Sequence, residues 1–318
     1  MIWGKHHMSK KRIIIALGHK DLGMNLPEQY QAVRKTAKMI SEFVKKGYQI
    51  GIVFSNAPQV GMIHTAMMDL AAKYPDQYSR VPLSVCSAMS QGMIGYDLQN
   101  AIHTELLKHG IYKTCATVLT QVQVDPYDES FYDPVKVIGK RMSASEAKEE
   151  EAAGNQVVLC EDGTFRRIVP APKPGGIVEI EAIKALLDMD QIVIACGGGG
   201  IPVMRQGTEL KGAAAVIEKD YAAGLLAGET DADILLITTA VECVSLNYGK
   251  PDEKKVSDMT VAEAKRYLRD GHFEFKSMQP KVEAAVRFVE GGRGREAVIT
   301  TMELAGKALD GLAGTHIR

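Results

Sequence analysis

The run Ile192-Val193-Ile194-Ala195-Cys196 passes without a break into Gly197-Gly198-Gly199-Gly200-Ile201-Pro202. A short apolar run with no polar alternation suits a strand buried on both faces, which belongs in a parallel sheet. Four glycines at its end remove every Cβ from the following turn, so backbone N–H groups there can come close to an anion. In open α/β sheets ligands sit at this edge. Such a turn serves either as an anion cradle or as a tight turn packed against a helix, and a run of four glycines after a strand favours the cradle. It is not a Walker A loop, because the chain has no G-x-x-x-x-G-K-[ST]. It is not the dinucleotide fingerprint either, since Pro202 stands where the last glycine should be.

The rest of the chain repeats the same rhythm. Strands are expected at Arg12 to Leu17, Tyr48 to Phe54, Ala116 to Val124, Gln191 to Cys196, Asp233 to Thr239 and Glu296 to Thr300. Helices are expected at Glu28 to Lys46, after a turn at Asn56-Ala57-Pro58, at Ser87 to Lys108, at Ile180 to Asp188, and near Asp220, Val261 and Pro280. Strands alternating with amphipathic helices imply an α/β fold with a mostly parallel sheet covered on both faces. Residues Pro126 to Pro174 break the rhythm. They are rich in Pro, Asp, Glu and Lys, with an acidic helix at Ser143 to Ala152 and a hairpin turning at Asp162-Gly163. They read as a small inserted subdomain. The division expected is an N-terminal extension at 1–7, an N-terminal lobe at 8–175 with the inserted subdomain at about 126–174, and a C-terminal lobe at 176–318.

At 318 residues and 46% hydrophobic, the chain can bury a large core. Its 38 Lys+Arg against 39 Asp+Glu give a net charge of -1, which argues against a dedicated nucleic-acid surface. The 5 cysteines are widely spaced with no C-x-x-C, so neither a disulfide framework nor a zinc knuckle is expected, and no residues are assigned to a metal. No apolar run is long enough to span a bilayer, and the start lacks an apolar signal core, so a cytoplasmic protein with no membrane partner is expected.

A glycine-lined phosphate needs cations around it. Lys219 lies in Glu218-Lys219-Asp220, where a helix should begin, and Lys281 follows Pro280 at another helix start, where the dipole adds to its charge. With these motifs the chain resembles the carbamate kinases of the amino acid kinase superfamily from about Arg12 to Ile317. The resemblance is carried by Asn56-x-Pro58-Gln59-Val60-Gly61, Met89-Ser90-Gln91-Gly92-Met93-Ile94-Gly95-Tyr96 and Thr120-Gln121-Val122. It continues through Pro134-x-Lys136-x-Ile138-Gly139, Arg166-Arg167-Ile168-Val169, Gly197 to Val203, Ala215 to Asp220 and Ser277-Met278-x-Pro280-Lys281.

The resemblance implies a three-layer α/β/α sandwich, a homodimer, and the reaction ATP + carbamate ⇌ ADP + carbamoyl phosphate with Mg²⁺. It implies that Lys219 and Lys281 stabilise the moving phosphoryl group, that Asp220 orients them, and that Lys136 on the inserted subdomain closes over it. It also implies that Gly197, Gly198, Gly199 and Gly200 hold nucleotide phosphates, and that Thr239, Val241, Tyr248, Lys250 and Met278 line the nucleoside side. The acceptor would lie at Gly18, His19, Lys20, Ser55, Asn56 and Ala57. Here the sequence departs from its relatives. Gly18-His19-Lys20-Asp21 stands where they read Gly-Gly-Asn-Ala, Phe54-Ser55-Asn56-Ala57-Pro58 where they read His-Gly-Asn-Gly-Pro, and Glu218 where Asp is usual. His19, Ser55 and Ala57 put side chains back where glycine let backbone amides reach a small anion, and a positive φ at any of them would add strain. Three readings follow: a carbamate kinase, a same-fold kinase with a different small acceptor, or a nucleotide-binding homologue without turnover.

Overall fold

Alternate residues of the first strand enter different hydrophobic clusters. In the computed structural model, which describes residues 10–23, 25–275 and 277–318, Ile13, Ile15 and Leu17 pack with Val33, Ala37 and Ile40, and with Ile94, Leu98 and Ile102. Ile14 and Ala16 face the other way, onto Ala222, Ala223 and Leu226, and onto Val282, Ala285 and Val286. A strand buried on both faces needs a helical layer on each side, which is the expected α/β/α sandwich. The expectation for residues 1–7 lies outside the described residues.

The chain order begins β1 (Arg12–Leu17), α1 (Leu26–Lys45), β2 (Gln49–Phe54), α2 (Ala57–Lys73), α3 (Leu83–Lys108), β3 (Cys115–Thr117) and β4 (Gln121–Val124). The inserted segment supplies β5 (Lys136–Met142), α4 (Ala144–Ala152), β6 (Gln156–Leu159) and β7 (Phe165–Val169). Then come β8 (Pro174–Ile177), α5 (Ile180–Asp188), β9 (Ile192–Ile194), β10 (Ile201–Gln206), β11 (Glu209–Gly212), α6 (Lys219–Glu229) and β12 (Ile234–Thr238). The chain closes with β13 (Val244–Leu246), β14 (Lys254–Val256), β15 (Asp258–Met259), α7 (Val261–Arg269), α8 (Met278–Glu290), β16 (Glu296–Thr300), α9 (Ala305–Leu309) and β17 (Thr315–Ile317).

The main sheet has eight strands in the order β15-β17-β16-β12-β1-β2-β9-β3, and only the β16–β17 pair is antiparallel. It is continuous across residue 175, because β9 sits between β2 and β3. The inserted segment forms its own three-stranded sheet, β5-β7-β6, backed by α4. Ser143 caps α4 in a capping box with Glu146, as its S-x-x-E pattern dictates. The insert docks on the body where Ile138 and Val169 meet Val60, Leu83, Cys86 and Val216.

Two local expectations are corrected. Asn56-Ala57-Pro58 is the start of α2, with Asn56 at the N-cap and Pro58 in the first turn, where a missing N–H costs nothing. The single strand expected at Ala116 to Val124 is two strands in different sheets. β3 pairs with β9 in the main sheet, while β4 pairs with β10 and β8 in a four-stranded sheet ordered β11-β10-β4-β8. The break falls at Thr120, whose backbone N–H donates to Gln91 Oε1 at 2.8 Å and whose hydroxyl accepts from the Cys196 N–H at 3.0 Å.

The four glycines make the same crossing beside it, carrying the chain from β9 to β10. Gly198, Gly199 and Gly200 have φ of +67°, +91° and +95°, a region that favours glycine. A Cβ on Gly199 would stand 2.1 Å from the Ile217 carbonyl oxygen, and one on Gly200 would stand 2.2 Å from Val122 Cγ2. Gly199→Ala is therefore expected to lower stability by about 2 kcal/mol or more, read as a lower urea midpoint with unchanged slope.

Candidate active site

The C-terminal ends of β1, β2 and β12 open onto a cavity of about 920 Å³, roofed by the inserted sheet. Its floor is set by two helix starts. Lys219 and Asp220 are the first two residues of α6, and Lys281 lies in the first turn of α8. Lys219 Nζ donates to Asp220 Oδ1 at 2.5 Å, and Lys281 Nζ donates to Asp220 Oδ2 at 3.0 Å and to the Ser277 carbonyl at 3.1 Å. Lys219 is 8% exposed and Asp220 3%. Lys136, at the start of β5, donates from the roof to Glu218, the N-cap of α6.

Two ammonium groups share one carboxylate, so the floor keeps an unbalanced positive charge. Burial alone would push the Asp220 carboxyl up, but Lys219 and Lys281 outweigh it and hold it below the usual carboxylate range. Burial pushes the Lys219 ammonium down, reinforced by Lys281 and opposed by Asp220. The N-terminus of α6 adds its positive dipole end. A desolvated surplus of this kind stabilises anionic charge far better than solvated lysines would.

The structure brings most of the expected site residues to this cavity. Lys136, Lys219, Asp220 and Lys281 line it, together with Thr239, Val241, Tyr248 and Met278 and with Gly18, His19, Ser55 and Ala57. His19, Ser55 and Ala57 all lie outside the positive-φ region, so none carries the backbone strain that replacing a glycine could have caused. Lys20 stands in the short turn His19–Asp21, and the expectation for its side chain lies outside what is described.

Other expected residues are placed elsewhere. Lys250 is exposed in the turn that follows Asn247 and does not line the cavity. Asn56 is buried, donating to Ser90 Oγ at 2.7 Å, and its side chain fills the space a Cβ on Gly198 would need. Gly197 to Gly200 do not line the cavity. They pack against Phe54, Asn56, Ile217 and Val122, so their bare backbone serves close packing at the crossing between sheets. Cys196 is buried at the start of that crossing, and burial pushes its thiol up, which leaves it unreactive.

The cavity also contains groups to which sequence reasoning assigned no role. Asp21, Arg166, Thr238, His272 and Glu274 all line it. Asp21 carried a signal: an acid three residues beyond Gly18 can reach back to that residue's backbone N–H. Thr238 and His272 carried none, because their approach to the site depends on strand order.

The model of the amino acid kinase family matches residues 11–301. The chain belongs to the amino acid kinase family. Within that family it is 46% identical to a carbamate kinase-like protein of Escherichia coli (strain K12), over 98% of this chain and 99% of that protein. It is 44% identical to carbamate kinase 1 of Enterococcus faecium, over 96% and 99%. Its fold superposes on the carbamate kinase of Giardia lamblia solved with AMP-PNP, with a TM-score of 0.90, 36% identity, and coverage of 97% and 98%. This amino acid kinase is a phosphotransferase of the carbamate kinase type. Among the described residues no helix is long and apolar enough to cross a membrane.

Proposed function

We propose that the protein transfers a phosphoryl group between an adenine nucleotide and carbamate, ATP + carbamate ⇌ ADP + carbamoyl phosphate. The observation that carries this reading is Asp220 bridging Lys219 and Lys281 on the floor of a cavity of about 920 Å³. Of the residues that line it, Thr239, Val241, Tyr248 and Met278 take the nucleoside, and Gly18, His19, Ser55 and Ala57 take the acceptor. Phosphoryl transfer of this kind requires in-line positioning and charge stabilisation, with no covalent intermediate. Lys219 and Lys281 stabilise the charge spread over the moving group. Asp220 holds both ammonium groups in place, and Lys136 leaves Glu218 to close from the roof.

Magnesium fits as an ion carried in on the nucleotide. Among the described residues no group of three or more His, Cys, Asp or Glu side chains could hold a metal by itself, and both Asp220 oxygens are taken by lysines. The nucleotide's phosphate oxygens and water would supply its ligands, and the ion would offset part of the phosphate charge. The proposed homodimer is supported by α3, where the exposed apolar residues Val85, Met89, Tyr96 and Leu107 fall on one helical stripe.

The test mixes the protein with Mg-ADP and carbamoyl phosphate and follows ATP formation. Steady production of ATP is expected. Tight Mg-ADP binding with no ATP formed would defeat the carbamate reading. A second reading, a different small acceptor, is favoured by the side chains of His19, Ser55 and Ala57 among the acceptor residues.

A further inference from the structure

Gly18 closes β1 at the cavity edge, where a parallel sheet presents free backbone donors to a ligand. Here that donor is already engaged. The Gly18 N–H donates to Asp21 Oδ2 at 2.8 Å and lies 3.1 Å from Thr238 Oγ1. The Thr238 hydroxyl, at the end of the neighbouring strand β12, also bonds Asp21 Oδ2. The carboxylate therefore sits where two donors from adjacent strand ends converge. The turn is packed tightly, since a Cβ on Gly18 would stand 3.0 Å from the Thr238 carbonyl oxygen and 3.3 Å from Asp21 Oδ2.

Asp21 is 7% exposed and lines the cavity. Burial raises its carboxyl above the usual range, Thr238, Gly18 and the more distant charge of Lys219 oppose this, and Glu303 adds to it. The phosphoryl clamp makes no use of this acid, yet it lies against Gly18 and feels the charge of Lys219 that an incoming anion would need.

We propose that Asp21 is a specificity-determining residue, a resident carboxylate that occupies the Gly18 amide and the Thr238 hydroxyl and so competes with a small acceptor anion for them. This rests on the phosphotransferase reading above, but it is tested by binding as well as by turnover. In this protein those donors are engaged by its own anion, and a monoanion as small as carbamate competes with it for them.

The experiment uses Asp21→Ala, which removes the carboxylate, and Asp21→Asn, which keeps its shape and one acceptor oxygen without the charge. The probe is carbamoyl phosphate, titrated calorimetrically with and without Mg-ADP, alongside steady-state ATP formation. Asp21→Ala is expected to bind carbamoyl phosphate about tenfold more tightly and to lower KM by a similar factor, with kcat changed much less. Asp21→Asn is expected to fall between it and the parent. Mg-ADP affinity, unchanged in both, reports that the fold is intact. Unchanged or weaker binding of carbamoyl phosphate by Asp21→Ala with normal Mg-ADP affinity would overturn the proposal and make Asp21 either a structural cap or a holder of the acceptor. Loss of Mg-ADP binding by the parent protein would defeat the phosphotransferase reading instead, and the nucleotide-free titration would still decide the role of Asp21.

Discussion

Lys219→Met is expected to reduce kcat for ATP formation by about a hundred- to a thousandfold while leaving the protein folded. Methionine fills nearly the same volume without the charge. Lys219 donates to one oxygen of Asp220 and Lys281 to the other, so the variant keeps Asp220 paired and loses the positive surplus on the cavity floor. Because Lys219 is almost wholly buried, removing its charge also relieves desolvation, so the thermal midpoint should change little. Mg-ADP affinity should fall far less than kcat, because the charge matters most where the phosphoryl group is in flight. A variant that turned over at the parental rate would remove Lys219 from the mechanism.

Asp220→Ala acts on the fold first. It leaves two ammonium groups facing each other with no anion between them, one of them buried. Breaking a buried ion pair by deleting one partner costs about 3–5 kcal/mol, so a large drop in the urea midpoint is expected, with activity lost as well. Asp220→Asn keeps the shape and separates charge from packing. The same carboxylate sets a pH dependence. Its pKa is lowered in the folded protein from an ordinary value of 3.8. Its stabilising contribution is therefore present above that value and is lost as pH falls through the folded-state pKa. Acid unfolding of the parent should include this component, and unfolding of Asp220→Asn should lack it. Equal acid and urea stability of all three proteins would show that the Asp220 bridge contributes nothing to the fold.

Much of this protein was determined by local sequence. The unbroken apolar run of β1, the capping box at Ser143 and Glu146, and the lysines at two helix starts follow from spacing and side-chain chemistry alone. Those starts face one another because both helices pack on the same side of the sheet, which the tertiary structure decided. The purpose of the four glycines was not legible. A bare backbone suits an anion and a close-packed crossing equally well, and only the positions of Ile217, Val122 and Asn56 decide between them. The break at Thr120 was hidden for a related reason: Gln91, far away in sequence, takes the N–H that a continuous strand would have used. Asp21 was in plain view beside Gly18, but its meaning depends on Thr238, 217 residues later, which the parallel pairing of β1 with β12 brings to the same edge. Local chemistry chose the elements and the charged groups. Strand order decided which of them meet, because contacts between distant segments are set by packing that no local window of residues contains.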